Sequence, residues 1–263
     1  MAADIIKNAQ VVWWYFKNNL SSALEYRTNF FIAVVGMMVN NVVWIFFWYI
    51  ILTKFDSIQG WNFHNILQLY AVATISWGLS GIFFGNRGHL ATMIEQGALD
   101  FYLAIPVNPL LHALVSRFPL GALGDLIFGI ILAFFAIDLN DVPLFLLVTV
   151  LGAILTLSFC ILVGSMGFFL GSSRSLERNM VMGLITFTTY PLSIFGGFAK
   201  LILLTIIPAG FVTGIPVELI ASFDLFWFMM LITVVLVFLV VSISLFNYGL
   251  RRYESGNLIV ERL

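Results

Sequence analysis

The twelve basic residues of this chain are distributed so unevenly that they constrain its fold before any helix is drawn. Lys7, Lys17, Arg27, Arg87, Arg117, Arg174, Arg178, Arg251, Arg252 and Arg262 can all lie on one side of a membrane if the apolar runs between them cross it, leaving Lys54 and Lys200 on the other. Lys and Arg beside a span resist translocation, so such a bias sets orientation. The pattern implies a polytopic membrane protein with both ends in the cytoplasm. Only 10% of the residues are charged and 61% are hydrophobic, whereas a soluble domain carries about 25% charge. A net charge of -1 without a basic stripe excludes nucleic-acid binding. The single Cys160 lies in an apolar run, where it reads as an inert thiol with no intrachain partner.

About 20 helical residues cross the hydrocarbon core, and uncharged runs of that size mark the spans. The first is Phe30–Leu52, the second Ile66–Phe84, the third Pro119–Ile137, the fourth Val142–Leu170, the fifth Met180–Ala199 and the last Leu225–Leu250. The turn Asp138–Asp141 is so short that the third and fourth must be antiparallel neighbours. Ahead of them, Ile5, Ile6, Ala9, Val12, Trp13, Phe16 and Leu20 share one helical face, with Asp4, Lys7, Asn8 and Asn18 opposite. Residues 1–28 therefore read as an amphipathic helix lying in the interface rather than as a cleavable signal.

Between Lys200 and the last run, Leu201–Val217 is apolar but is broken by Pro208, Gly210 and Pro216. A proline inside a helix removes a hydrogen bond and clashes with the preceding turn. A seventh crossing there would also carry Arg251 and Arg252 to the outside, against the charge bias. Residues 200–223 are therefore expected to form an outer re-entrant hairpin. The expected fold is all-α, with six transmembrane helices, an interfacial start and that hairpin, within a single membrane domain over 1–263.

The longest stretch outside the spans, residues 85–118, is the one suited to contact a partner. It holds Leu99-Asp-Phe-Tyr-Leu-Ala-Ile-Pro-Val-Asn-Pro-Leu110, whose two prolines predict a stiff corner between short helices. Together with Ser116-Arg-Phe118 and Gly124-Asp-Leu-Ile-Phe-Gly129, this stretch resembles the permeases of type-2 ABC exporters, in particular an uncharacterised bacterial branch. The likeness covers nearly the whole chain. It implies a plasma (inner) membrane location and a coupling loop at 85–118, with Glu95, Gln96, Gly97, Asp100, Tyr102 and Pro106 docking on an ATP-binding subunit. It also implies a second permease, identical or related, to complete a path through the bilayer. No phosphate-binding loop occurs in the chain, so ATP and Mg would be held by the partner; the chain itself is expected to be no enzyme and to carry no cofactor or metal.

Ionisable or amide side chains inside a span are functional candidates. Asp125 lies about two turns into the third run, and Asn40 and Asn41 lie near the centre of the first; these are the candidate path residues, with bonding between helices as their structural alternative. Gly81–Gly85 and Gly167–Gly171 have the spacing that lets helices approach closely within the chain. Trp44, Trp48, Tyr49 and Trp61 read as an interfacial belt. An ion-coupled secondary transporter is the alternative reading, but it needs carboxylates at mid-membrane and repeated halves, neither of which is seen. An intramembrane enzyme needs converging acid, base or metal ligands, and His64, His89 and His112 show no such spacing.

Overall fold

The computed structural model describes residues 2–253. Met1 and residues 254–263, Arg262 among them, lie outside the described residues, as do the side chains of residues 2–6, including Ile5 and Ile6. The chain is helical throughout, in the order α1 Ala2–Glu25, α2 Arg27–Lys54, α3 Phe63–Phe83, α4 Leu90–Glu95, α5 Leu99–Leu103 and α6 Pro109–Val115. There follow α7 Gly121–Ala136, α8 Val142–Gly164, α9 Arg174–Thr188, α10 Gly197–Thr205, α11 Ile215–Ala221 and α12 Leu225–Leu250. Among the described residues there is no strand, only a single bridge between Ile58 and Trp61.

By length and composition, α2, α3, α8 with its 3-10 continuation to Phe168, and α12 can each cross a bilayer. α7 is shorter, at 16 residues, or roughly 24 Å against a hydrocarbon core of about 30 Å. The helix ends follow from local chemistry. Asn62 and Asn65 cap each other's backbone at the start of α3. Asp224 accepts from the Phe226 and Trp227 amides to start α12. Asn108 caps α6, with Pro109 in its first turn where the missing N–H costs nothing.

Three expectations are corrected. The run Met180–Ala199 is not one helix: α9 begins earlier, at Arg174, and stops at Thr188. Pro191 follows, and Gly197 takes φ 53 to begin α10, a conformation that residues with a Cβ disfavour. Trp48 and Trp61 are not interfacial but buried, 3% and 6% exposed, with the Trp48 ring edge-on to Tyr190 at 5.7 Å. The helix of the third apolar run, α7, opens at Gly121 rather than Pro119, so Asp125 lies one turn inside its helix rather than two. In the stretch 200–223, α10 and the segment Gly210–Ala221 are two short helices bent by 75° at a break that contains Pro208. The second of them opens with a π-helical turn and is almost wholly buried.

α3 is the centre of the bundle, buried along nearly all its length between α7, α8 and the buried turn Gly210–Gly214. Several of its polar side chains donate to carbonyls: Gln68 to Ala136 O at 3.0 Å, Ser76 to Thr149 O at 3.1 Å and Thr74 to Tyr70 O at 2.6 Å. In hydrocarbon an unpaired polar group costs several kcal/mol, so these bonds allow hydroxyls and an amide in the core. α3 and α7 approach through glycines. A Cβ at Gly78 would lie 2.8 Å from Leu126 N, and one at Gly129 2.5 Å from Ile75 Cγ1. Gly81, Gly85 and Gly167 also face neighbours of the same chain, whereas Gly171 meets nothing within 4 Å.

Because Gly78 abuts backbone, Gly78→Ala is expected to destabilise the protein by about 1–3 kcal/mol, the usual cost of overpacking. Gly36, on α2 with nothing within 4 Å, should accept alanine without loss. Thermal unfolding in detergent distinguishes the two.

Candidate functional site

The segment 85–118 folds as three short helices rather than the two that its prolines suggest, and its shape is set by hydrogen bonds. Asn86 donates from Nδ2 to Ala113 O at 2.8 Å and to Ser116 Oγ at 2.7 Å, tying the loop's start to its end. Gly97 takes φ 71 between α4 and α5 and is buried, which explains a glycine there. The Tyr102 hydroxyl bonds Ser116 Oγ at 2.8 Å. Gln96, Asp100 and Pro106 are exposed, as is Phe101, whose side chain was not singled out from sequence.

Glu95 points inward instead. Its carboxylate accepts from Ser173 Oγ at 2.8 Å, from the Ser173 amide and from the Arg174 amide at 3.1 Å, and it pairs with Arg174 Nε at 2.6 Å. It therefore caps the start of α9. Burial pushes the Glu95 carboxyl up, but the bonds from Ser173 and Arg174 outweigh that and hold it below its ordinary 4.5. The exchange is reciprocal: Glu177, buried in α9, accepts from the Leu90 and Ala91 amides at 2.9 and 3.2 Å, and so caps the start of α4. Two carboxylates each satisfy the free N–H groups of the other's helix, which locks α4 to α9. A Cβ at Gly164 would lie 2.7 Å from Leu90 Cβ and 2.8 Å from Glu177 Oε1, so α8 must present a glycine to this joint.

α1 rests on the opposite end of the loop. Lys7 Nζ donates to Pro106 O at 3.0 Å and Asn19 Nδ2 to Val115 O at 3.3 Å, while the Tyr15 hydroxyl bonds His112 Nε2. Phe16 packs against Phe83 and Phe118 at centroid distances of 5.6 and 6.0 Å. Burial lowers the His112 pKa, so the ring favours its neutral form.

The three intramembrane candidates come together. Asn41 Nδ2 donates to Asp125 Oδ1 at 2.8 Å across α2 and α7, and Asn40, Asn41 and Asp125 all line one cavity of about 390 Å³ between α2, α3, α7 and α9. Its wall also includes Tyr70, Trp77, Arg87 and His89, none of which stood out from sequence as path residues. Arg87 turns back into the bundle, donating Nη2 to Trp77 O at 3.2 Å with its guanidinium 5.0 Å from the Trp77 ring centroid. The hole that receives it is made by Gly81, where a Cβ would lie 2.7 Å from Arg87 Nη1. In sequence, Arg87 reads as one more basic residue of an inner loop; only the fold shows it pointing inward.

The apolar helices, uncovered along α2 and α12, define a multi-pass α-helical membrane protein. Residues 38–256 match the family model described as "ABC-2 family transporter protein". The chain belongs to that family, whose members are membrane components of ABC transporters without a nucleotide-binding domain. No curated protein and no solved structure gives a significant match.

Removing the Glu177 carboxylate leaves two buried amides without acceptors, a loss of about 1–3 kcal/mol. Glu177→Ala should therefore raise the hydrogen-exchange rates of the Leu90 and Ala91 amides at least ten-fold while leaving α12 unchanged. The Glu95 cap has the sign of a depressed carboxyl: its contribution is complete above the unfolded value of 4.5 and is lost as the pH falls through the lower folded value. Protection of the Ser173 and Arg174 amides should accordingly hold from neutral pH to about 4.5 and fail only below it.

Proposed function

We propose that this chain is the permease subunit of an ATP-driven exporter, forming half of a translocation path with a second, identical or related permease. The energy comes from a separate subunit that binds ATP and Mg. Both termini face the cytoplasm, in the plasma (inner) membrane. The spans are α2, α3, α7, α8, the broken segment from α9 to Ile194, and α12, making six. α10, α11 and the turn between them are the outer re-entrant hairpin, and α1 lies along the cytoplasmic interface. Broken backbone at that depth requires cover by protein, and the burial of Gly210–Val217, Leu219 and Ile220 supports the reading.

The observation that carries this reading is the exchange of carboxylate caps between α4 and α9. A loop pushed by an ATPase needs a rigid link to a helix on the path, and α9 supplies Val181, Ile185 and Thr188 to the cavity wall, followed by Thr189 at its C-terminal cap. The coupling residues divide by geometry. Gln96, Asp100 and Pro106, with Phe101, form the face offered to the ATPase, while Glu95, Gly97 and Tyr102 hold that face in shape. Asn40, Asn41 and Asp125 lie on the path.

Asp100→Lys and Phe101→Asp should each reduce recovery of the ATPase with the tagged permease several-fold, since a reversed or new charge at a contact weakens docking, with about 1 kcal/mol enough for a five-fold loss. Neither should alter membrane insertion. Co-purification at unchanged levels, with transport intact in both variants, contradicts the coupling assignment.

A further inference from the structure

Three aromatic side chains enclose His112, which is 3% exposed although it lies in the loop 85–118. Tyr15 of α1 lies at a centroid distance of 5.4 Å, Tyr102 of α5 at 4.9 Å and Phe101 of α5 at 6.1 Å. One imidazole, on α6, thus joins the helix that rests on the loop to the short helix that carries Asp100 and Phe101. The joint is braced on both sides. Tyr102 is bonded to Ser116, and Lys7 and Asn19 of α1 reach the carbonyls of Pro106 and Val115.

The two ring nitrogens of His112 have different surroundings. Nε2 bonds the Tyr15 hydroxyl, whereas Nδ1 is buried and has no partner among the described residues. A buried N–H without an acceptor is rarer than a bare lone pair, which places the proton of the neutral ring on Nε2, donating to Tyr15 Oη. A second proton can enter only at Nδ1, where it would make a charged, buried N–H that nothing accepts. Burial lowers the His112 pKa accordingly, and no neighbouring carboxylate raises it back. On the elements packed against the ring, the charged or titratable groups are Lys7, Tyr15 and Lys17 of α1 and Asp100 and Tyr102 of α5, with Arg117 just beyond α6. Asp100 is exposed and does not bond the free nitrogen. Asp4 and Glu25 lie roughly 15 Å or more from Tyr15 along α1.

We propose that His112 is a positioning residue for the face that meets the ATPase: the neutral ring holds α1 and α5 together, and its protonation releases α1 from the loop. Acid on the cytoplasmic side thereby loosens the mounting of Asp100 and Phe101. The sign follows from a base that is buried uncharged. The joint is complete above the ordinary value of 6.5, weakens as the pH falls below it and levels off below the lower value of the docked ring. The consequence for the ATPase rests on the reading of residues 85–118 as its docking surface; the joint is tested on the chain alone, so either can fail without the other.

Spin labels on Gln10→Cys and Ala98→Cys, both at exposed positions, in a Cys160→Ser background, report the distance between α1 and the loop in the purified full-length chain in nanodiscs. At pH 7.5 one distance should dominate, and at pH 5.5 a second, longer-distance population should be at least three-fold larger than at pH 7.5. His112→Phe, which keeps a ring but cannot take up a proton, should show the same distances at both pH values. Nitrogen-15 resonances of the three histidines, assigned by elimination with His64→Gln and His89→Gln, read the ring with the joint left intact. At pH 7.5 His112 should carry its proton on Nε2 alone, and at pH 5.5 the doubly protonated form should appear. A wild-type distance that does not change between the two pH values, an equal change in His112→Phe, or a doubly protonated His112 at pH 7.5 each overturns the proposal.

Discussion

A bilayer supplies no water to a polar group, and α3 is where this protein meets that constraint most fully. The helix is buried on nearly all sides, so a hydroxyl or amide on it is stabilised by finding a protein acceptor. Thr74 and Ser80 bond carbonyls of their own helix, and Gln68 and Ser76 reach carbonyls in α7 and α8. These last two bonds fix the depth of α3 against its neighbours, because sliding by one residue would leave a donor in hydrocarbon. The glycines at 78 and 129 then allow the close approach that the bonds require. With α3 fixed, the neighbouring helices leave a cleft lined by Tyr70, Ala73, Thr74 and Trp77 along one of its flanks.

The same rule operates at the joint between α4 and α9. Each helix begins with free N–H groups, and each finds its acceptor on the other: Glu177 for Leu90 and Ala91, Glu95 for Ser173 and Arg174. Neither helix can tilt alone without breaking charge-assisted bonds, which are about twice as strong as neutral ones. α4 belongs to the exposed loop and α9 to the cavity wall, so one device holds both. α1 adds a second contact at the loop's far end through Lys7, Tyr15 and Asn19. The loop is thus held between an amphipathic helix on one side and the start of a cavity-lining helix on the other.

Much of this architecture was legible in the sequence because the bilayer writes it there as length and charge. The apolar runs at 30–52, 66–84 and 225–250 fall within or overlap α2, α3 and α12, since each needs about 20 residues to cross. The chain's ABC-2 family membership was readable from Leu99–Leu110 and its flanks. Asn41 and Asp125 were read as groups that bond between helices or line a path, and they do bond each other. Other features were not legible. The break after Thr188 turns on Pro191 and the positive φ of Gly197, which a hydropathy run averages away. The inward turn of Glu95 depends on Ser173 and Arg174, 78 and 79 residues further along, and no local pattern encodes so distant a cap. Arg87 resembles its neighbours in every respect that a sequence displays; the glycine at 81 that admits it matters only once the helix end has folded back.

The central claim is that movement of the loop reaches the cavity through the α4–α9 joint. It is tested most directly by the rate at which a thiol reagent modifies Ile185→Cys, in a Cys160→Ser background, in the complete transporter with and without ATP. With the joint intact, nucleotide should change that rate several-fold. In the Glu95→Ala, Glu177→Ala double variant, compared at an ATPase concentration that saturates both proteins, the rate should no longer respond to ATP. A nucleotide response of the same size in both proteins would mean that the cavity is moved by another route, and would contradict the account.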